Sequence, residues 1–416
     1  MNASACMKAL ALAGRIILEN GGETYRAEDT VLRMAQALGL AEADVFAVPS
    51  GLFISFTDEA GERRASVNRV HLQGTHLERV DRVNQISRHL ASGELSPEML
   101  IDELKTAGRL GDQLAWWFAP VSACLSAMGF AVMFGGGLVD IVIGGLCAAL
   151  TQLVPFLFRR DDSSGMAATL VGGILCAFIA LWFHAVTGLG VPDAIIASSL
   201  MPLVPGLSMT NAMQDILRGD MLSGVAHCAR ALMIAVMVAG GSLVGTYLFG
   251  ALGMTSPQVQ LIAEWPLPWQ TLLIFLSSTL AGAGFGGLLY APRKAILWGG
   301  LLGGAGFTAY WLLLRVGSAE TAAMFFGALI AAVGAQVSAR RLKMIATVVV
   351  TIAIIPLVPG LGLYRAMSAF AQSQTALGAA TAVHAMAMVV MIAMGIGLGS
   401  MLAGTPRRRK GGAPHA

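Results

Sequence analysis

Beyond about residue 113, the chain consists of one apolar run after another, each about 20 residues long. That length lets a helix cross the hydrocarbon core of a bilayer, and a helix satisfies its own backbone hydrogen bonds there. Hydrophobic residues make up 56% of the sequence and charged residues 12%, which excludes an ordinary soluble domain. The pattern predicts an all-α polytopic membrane protein in this part of the chain.

The apolar runs divide into ten predicted transmembrane helices, five in each half. They cover residues 114–135, 138–158, 166–186, 192–213, 224–250, 268–290, 295–314, 319–337, 343–363 and 377–403. We predict a first membrane module at 113–252, a second at 266–405 and a basic tail at 406–416. Lys and Arg concentrate in the loops on the side of the N-terminus. The positive-inside rule therefore places both termini in the cytoplasm.

The six-residue phrase PLVPGL occurs twice, at 202–207 and 356–361. Proline removes a backbone donor and clashes with the preceding turn, so each copy is predicted to break a helix within the membrane. Other features recur at nearly the same offset, such as Gly-Phe at 129–130 and at 284–285. Because each module has an odd number of spans, the second would enter the membrane from the opposite side. The sequence thus predicts two inverted five-helix repeats, an arrangement typical of secondary transporters.

The hydrophobic periodicity of residues 1–112 predicts a small α+β domain in the cytoplasm, with two helices, three short strands and two more helices. Arg15 and Glu19 interrupt the first apolar pattern, so it is not a signal peptide. Its most chemically distinctive stretch is GGETYRAEDT at 21–30, which holds several charged residues within two helical turns. These carboxylates suit either a hydrolytic site or local pairing near a helix start, and we favour the second interpretation.

No metal or other cofactor is predicted. The five cysteines lack CxxC spacing, and the histidines of the first domain lack metal-ligand spacing. Glycine-rich stretches at 135–137 and 282–287 lack the context of a phosphate-binding loop. Transport would therefore draw on an ion gradient, a substrate gradient or a partner subunit. The net charge of +3 is small and indicates topology rather than a nucleic-acid partner. The expected partners are the lipid bilayer and a small solute. The sequence leaves open whether the chain forms a homo-oligomer.

Several stretches together resemble the threonine/serine exporter family, over about residues 8–405. They are GGETYRAEDTVLRMAQALG, VPSGLFISF, VNRV, PLVPGLSMTNAMQDILRGD, STLAGAGFGGLLYAPRK and PLVPGLGLYRAM. In that family a longer N-terminal module with a cytosolic segment and five spans is joined to a shorter module. Relatives carry the two modules as separate subunits implicated in succinate export. The resemblance implies export of a small amino acid driven by proton motive force, and similar modules are associated with dicarboxylates.

The segments around the two breaks hold the predicted substrate site. A helix that restarts after a break presents unpaired N–H groups and a positive dipole end to a carboxylate. In the second copy, the guanidinium of Arg365 suits a carboxylate as well, or it anchors the chain at the membrane interface. The predicted substrate-binding residues are Pro202, Pro205, Gly206, Ser208, Thr210, Asn211, Pro356, Pro359, Gly360, Tyr364 and Arg365.

Ionisable side chains within spans are costly and are therefore candidates for function. His384 lies in the last predicted span and suits proton exchange, or it is a neutral histidine bonded to a carbonyl group. Asp215 follows the first break, and Asp140 begins the second span. These three residues are the predicted proton-coupling candidates. His227 and Arg230 are expected to reach for lipid headgroups at the start of the fifth span.

The leading hypothesis is a secondary exporter of threonine or serine that alternates between inward-open and outward-open states. A dicarboxylate exporter would need a further cation beside Arg365. A membrane-anchored hydrolase that uses the acidic cluster of the first domain is the alternative from another class. A channel is the third, and its flux would not respond to a proton gradient.

Overall fold

The structure is a computed structural model and describes residues 2–58, 60–70, 74–111, 114–155, 164–204, 206–217, 219–251 and 266–403. It is mostly helical, with a small sheet near the N-terminus. The N-terminal domain contains α1 (Ala3–Glu19), α2 (Thr24–Ala37), α3 (Leu77–Ala91) and α4 (Leu100–Gly108). The antiparallel strands β1 (Ala41–Val48), β2 (Gly51–Thr57) and β3 (Arg63–Arg69) lie in that order in one sheet.

The sheet packs on the helices through one face of its central strand. Leu52, Ile54 and Phe56 alternate along β2 and are fully buried, since alternate strand residues point to the same side. Leu10 and Ile17 of α1 are buried in the same core. The α+β composition predicted for this region is confirmed.

The rest of the described chain consists of helices. They are α5 (Phe118–Met133), α6 (Leu138–Thr151), α7 (Ser164–Thr187), α8 (Pro192–Leu200), α9 (Gly206–Leu217), α10 (Met221–Ala251), α11 (Leu267–Leu288), α12 (Arg293–Arg315), α13 (Glu320–Leu342), α14 (Ala346–Ile354), α15 (Gly360–Ala371) and α16 (Thr375–Ala403). Among the described residues, six of these helices are long and apolar enough to cross a bilayer, namely α7, α10, α11, α12, α13 and α16.

A seventh candidate span results if α14 and α15, which are bent by 53° at their break, are counted as one. Helices α5 and α6 are apolar, but they have only 16 and 14 residues. A straight span needs about 20 residues. The chain is thus a multi-pass membrane protein with six to seven candidate spans by length and composition, and the ten spans and the inverted repeat stay predictions.

Both PLVPGL segments interrupt a helix, as their prolines predict. After α8, Met201–Leu203 form a 3₁₀ turn, the next residue is extended, and α9 begins at Gly206. After α14, Ile355–Leu357 form the same turn, the next residue is extended, and α15 begins at Gly360. Proline cannot donate the hydrogen bond that would carry the helix through such a turn. The two breaks therefore have the same local structure.

The N-terminal domain is bonded to the membrane helices through several backbone and side-chain groups. The N–H groups of Leu77 and Glu78, at the start of α3, donate to the carbonyls of Leu289 and Tyr290 at 2.9 and 3.0 Å. Asp81, which is 3% exposed, accepts the N–H of Ile345 at 3.0 Å. Burial raises the pKa of the Asp81 carboxyl, although hydrogen bonds from Ile345 and Gln85 act in the opposite direction. The domain thus lies against the helices in a defined orientation.

Candidate functional site

The two helix breaks lie against each other. A Cβ atom on Gly360 would lie 3.1 Å from Cγ1 of Val204 and 3.3 Å from the sulfur of Met201. Only about 20 Å³ of space remains between the breaks, lined by Phe130, Met201, Val204, Phe285, Ile355, Val358 and Gly360. That is about the space of one water molecule, and its lining is apolar. The breaks therefore meet in a closed apolar contact.

A polar cavity of about 270 Å³ lies where the N-terminal domain meets the membrane helices, and we call it the domain-side cavity. Ser208, Asn211 and Asp215 line it from one face of α9, because positions i, i+3 and i+7 share a helix face. Its polar lining residues are Glu23, Thr24, Arg26, Thr75, Ser208, Asn211, Asp215, His227, Arg230, Thr347 and Thr351. The cavity thus joins the region after the first break to the N-terminal domain.

A histidine and a carboxylate are paired in this cavity. Oδ2 of Asp215 lies 3.0 Å from Nδ1 of His227, and the side chain of Asp215 is 3% exposed. His227 comes from α10, so the pair also joins this helix to α9. The side chains of Asp215 and His227 thus form one polar unit in the wall of the cavity.

A second polar cavity, of about 1310 Å³, lies at the start of α8 and beside α15, and we call it the distal cavity. Its polar lining residues are Asp193, Ser242, Thr246, Tyr364, Arg365, Ser368, Gln372, Gln374 and Thr381. The hydroxyl groups of Ser242 and Tyr364 are 2.8 Å apart and share a hydrogen bond. Arg365 is exposed, and no described residue forms an ion pair with it. Its guanidinium is therefore available to an anion in this cavity.

The two cavities lie at different heights along the helices. The domain-side cavity contacts α10 as far as Ile234, and the distal cavity contacts it from Ser242 onward. At 1.5 Å per residue, these positions are about 12 Å apart along the helix axis. The first broken helix passes from Asp193 in the distal cavity to Ser208 in the domain-side cavity. The second passes from Thr351 in the domain-side cavity to Arg365 in the distal one, so the two broken helices connect the cavities in opposite chain directions.

The predicted substrate-binding residues are distributed over these three places. Ser208 and Asn211 line the domain-side cavity, Tyr364 and Arg365 line the distal cavity, and Gly360 lies at the contact between the breaks. The polar groups that follow the two breaks are thus separated rather than gathered in one site.

The prolines of the two breaks are placed as follows. Pro202 lies in the first turn and borders a further space of about 550 Å³ beside Tyr290. Pro356 is buried in the second turn, and Pro359 directly precedes α15. Pro205 lies outside the described residues, as do the side chain of Thr210 and the surroundings of Gly206.

The other two proton-coupling candidates lie outside the two polar cavities. Nε2 of His384 is 3.1 Å from Oε2 of Glu320, and the other oxygen of Glu320 accepts a hydrogen bond from Tyr310 at 3.1 Å. Asp140 is 2% exposed, and its oxygens accept the N–H groups of Gly137 and Val191 at 2.8 and 2.6 Å. Its carboxylate therefore holds the start of α6 against the segment before α8.

Replacement of Asp140 by alanine is expected to lower the free energy of unfolding by about 2 kcal/mol, because two N–H groups lose their acceptor. Asp140→Asn keeps one acceptor oxygen and should lose about half as much. Thermal unfolding of the purified variants measures this difference. A stable Asp140→Asn protein whose transport no longer responds to a proton gradient would instead assign the residue to proton coupling.

The acidic cluster of the N-terminal domain is engaged in local contacts. Nε of Arg26 donates to Glu23 at 2.8 Å, and Glu28 accepts the N–H of Ala47 at 2.8 Å. Burial raises the pKa of the Glu28 carboxyl. In the described part of the chain, no group of three or more His, Cys, Asp or Glu residues is placed to hold a metal ion. Glu23 and Glu28 thus each accept a hydrogen bond from within the domain, the local pairing that the second interpretation expects.

Sequence reasoning missed the cavity role of two residues in α10. His227 and Arg230 were expected to reach for headgroups, yet both line the domain-side cavity. The spacing of these residues could have indicated the cavity, since His227, Arg230 and Ile234 share a helix face just as the polar residues of α9 do.

Comparisons with known proteins agree with these features. A family model described as "Putative threonine/serine exporter" matches residues 8–249, and a second, described as "Threonine/Serine exporter, ThrE", matches residues 274–402. The chain is 27% identical to a "Threonine/serine exporter" of Corynebacterium glutamicum, over 97% of this chain and 83% of that protein. It is 24% identical to a "Probable threonine/serine exporter" of Mycobacterium tuberculosis, over 93% of this chain and 74% of that protein.

A more distant relative is named for a different substrate. The "Probable succinate transporter subunit YjjP" of Escherichia coli is 21% identical, over 58% of this chain and 93% of that protein. No solved structure matches the chain. The first family model alone covers more than half of the sequence, and the second covers most of the remainder, so that both modules are present in one chain. The chain belongs to the threonine/serine exporter family.

Proposed function

We propose that this protein is a secondary active exporter of threonine or serine that works by alternating access. The observation that carries the proposal is the pair of polar cavities on either side of two meeting helix breaks. Substrate enters the domain-side cavity, and movement of the breaks past each other opens a route to the distal cavity. The apolar contact between the breaks separates the two cavities, which supports alternating access over a channel.

Two inverted five-helix repeats are part of the proposal, and the glycine contacts support them. A Cβ on Gly129 of α5 would lie 2.5 Å from the nitrogen of Ala281 in α11. A Cβ on Gly284 of α11 would lie 2.8 Å from Cα of Ser126 in α5. Positions 155 residues apart, such as Ser126 and Ala281, thus exchange roles across the interface. Reciprocal contacts of this kind are expected where two similar units are related by a two-fold axis.

Further glycines follow the same correspondence. Gly241 packs on the helix turn that contains Leu170, and Gly395 packs on the turn that contains Phe325. If each broken pair counts as one span, α5 to α10 form five units and α11 to α16 form five more. The opposite chain directions of the two broken helices between the cavities also fit an inverted relation. We therefore propose ten spans, with α5 and α6 as short ones.

The lining of the distal cavity favours an amino acid as the substrate. Arg365 is the single Lys or Arg among the described residues that line it, and Asp193 supplies a carboxylate beside hydroxyl and amide groups. One cation and one anion match a zwitterion. A dicarboxylate would leave one of its charges without a partner, and an unpaired charge in a partly desolvated site is costly.

The domain-side face is assigned to the cytoplasm of a bacterial inner membrane, with both termini on that side. This orientation follows the Lys and Arg distribution of the sequence. In it, the domain-side cavity receives substrate from the cytoplasm, and the distal cavity releases it outside.

Coupling to the proton gradient is assigned to Asp215 and His227, because this pair lies inside the domain-side cavity. We expect Asp215→Asn to retain efflux of threonine down its own gradient and to lose most of the acceleration by an imposed proton gradient. The amide of the variant cannot exchange a proton as a carboxylate does, but it preserves the shape of the side chain. His384→Gln, at a pair outside the cavities, should retain the acceleration. A gradient response lost in His384→Gln and kept in Asp215→Asn would move the coupling site to the last helix.

The proposed function is tested with proteoliposomes loaded with labelled threonine, serine or succinate. Efflux is followed with and without an imposed proton gradient. Gradient-dependent efflux of threonine or serine supports the proposal. Selective efflux of succinate would assign the chain to dicarboxylate export, as the name of the Escherichia coli relative indicates for that protein. Efflux that ignores the gradient would contradict proton coupling and favour a channel.

A further inference from the structure

Resting on the proposed function, we infer that the N-terminal domain supplies part of the cytoplasmic substrate site. The ligand class is a small zwitterionic α-amino acid. Glu23 of the domain binds its ammonium group, and Arg230 of α10 binds its carboxylate. The domain is thus a wall of the transport pathway and not only an appendage to it.

The domain reaches the cavity through the turn between α1 and α2. Gly21 has φ +79°, a conformation that favours glycine. A Cβ on Gly22 would lie 2.8 Å from the carbonyl oxygen of Ile17, so this turn must pass close to the end of α1. Both glycines line the domain-side cavity together with Glu23, which is 6% exposed. The tight turn therefore fixes a buried carboxylate at the cavity wall.

Two hydrogen bonds join the residues beside Glu23 to the membrane part of the chain. The hydroxyl of Thr24 donates to Asp220, between α9 and α10, at 2.8 Å. The guanidinium of Arg26 donates to the hydroxyl of Thr347 in α14. Burial alone would raise the pKa of Asp220, but hydrogen bonds from Thr24 and Ser223 outweigh it and hold that pKa below its usual value. A charged acceptor strengthens the bond to Thr24.

The charges of the cavity match a zwitterion. Its described ionisable residues are Glu23, Arg26, Asp215, His227 and Arg230. Glu23 is paired with Arg26 and Asp215 with His227, whereas Arg230 forms no ion pair with a described residue. The two carboxylates and the two guanidinium groups balance each other. A ligand without net charge keeps this balance, and a dicarboxylate would add two negative charges to it.

Arg230 shares the cavity with polar groups that suit the rest of the ligand. Arg230 follows His227 by three residues and lies on the same face of α10. Ser208 and Asn211 line the cavity from α9 and offer a hydroxyl and an amide to the side-chain hydroxyl of threonine or serine. A cavity of about 270 Å³ holds a ligand of this size. Carboxylate, ammonium and hydroxyl groups thus each have a complementary residue.

The test measures efflux from proteoliposomes against the internal concentration of labelled threonine. We expect Glu23→Gln and Arg230→Gln each to raise the half-saturating internal concentration about tenfold or more, because each removes a charged hydrogen bond to the ligand. The half-saturating external concentration for exchange should stay within about twofold, since the distal cavity is unchanged. Arg15→Gln is the matched control in the same domain, because Arg15 is exposed, pairs with Glu19 and does not line the cavity.

The outcomes separate this inference from the function on which it rests. If the wild type shows no threonine efflux, both are overturned. If the wild type exports threonine and Glu23→Gln keeps the internal half-saturation of the wild type, this inference alone is overturned. If Glu23→Gln does not fold, Arg230→Gln carries the decision together with Glu23→Asp. If the variants lower only the maximal rate, Glu23 and Arg230 support the cavity without contacting the ligand. That result would also contradict the inference.

Discussion

Gly129→Ala is expected to abolish threonine efflux and to lower the free energy of unfolding by about 3 kcal/mol. The new Cβ would overlap the carbonyl oxygen of Ser277 and lie 2.5 Å from the nitrogen of Ala281. These are backbone atoms of α11 and cannot rotate away, so the two helices must separate. Separation also breaks the bond from the hydroxyl of Ser126 to the carbonyl of Ala281, which measures 3.1 Å.

The same substitution elsewhere provides matched comparisons. Gly284→Ala should have an effect as large as Gly129→Ala, because its Cβ meets the backbone of α5. Gly397 lies within α16, and no atom lies within 4 Å of the position of its Cβ. Gly397→Ala should therefore be neutral or slightly stabilising. Thermal unfolding in detergent and efflux measure both properties, and a Gly129→Ala protein as stable and active as Gly397→Ala would contradict the interface.

Arg365→Gln is expected to reduce threonine efflux at least about tenfold, because a charged hydrogen bond to the carboxylate is lost from the distal cavity. Arg365→Lys keeps the charge without the bidentate geometry and should recover part of the rate. The effect should fall on the external half-saturation in exchange measurements and spare the internal one. This pattern is the opposite of that expected for Glu23→Gln.

Arg315 is the matched control for Arg365. Arg315 is also an exposed arginine, at the end of α12, but it donates to Gln270 at 2.6 Å and lies over the ring of Trp311 at 4.6 Å. Arg315→Gln should therefore leave efflux within about twofold of the wild type. Equal effects of the two substitutions would assign Arg365 to interfacial anchoring, the alternative that the sequence left open.

Local patterns predicted the helices and their breaks well. The prolines of PLVPGL act within one turn of the chain, so both interruptions were visible in the sequence. The strands of the first domain followed from alternation over a few residues. The lengths of α5 and α6 were overestimated, since apolar residues continue past the ends of these helices.

The arrangement of the site depends on contacts that no local pattern encodes. Thr24 and Asp220 are 196 residues apart in sequence, and Arg26 and Thr347 are 321 apart. The sequence therefore left the role of the first domain open. Arg365 was grouped with the polar residues after the first break because the two copies of the motif are alike. Ser208 and Asn211 instead line the domain-side cavity, and Arg365 lines the distal one. This separation is expected if the two units that contain the motif run in opposite directions.

The most direct test of the account is the thiol accessibility of its two cavities. In a background without the five native cysteines, Thr351→Cys reports the domain-side cavity and Thr246→Cys the distal one. The rate of labelling by a membrane-impermeant thiol reagent is measured at each position, with the reagent on the corresponding side, before and after addition of threonine. The account predicts that threonine changes the two rates in opposite directions, because the cavities open alternately. Rates that rise or fall together, or that stay constant while threonine is transported, would contradict it.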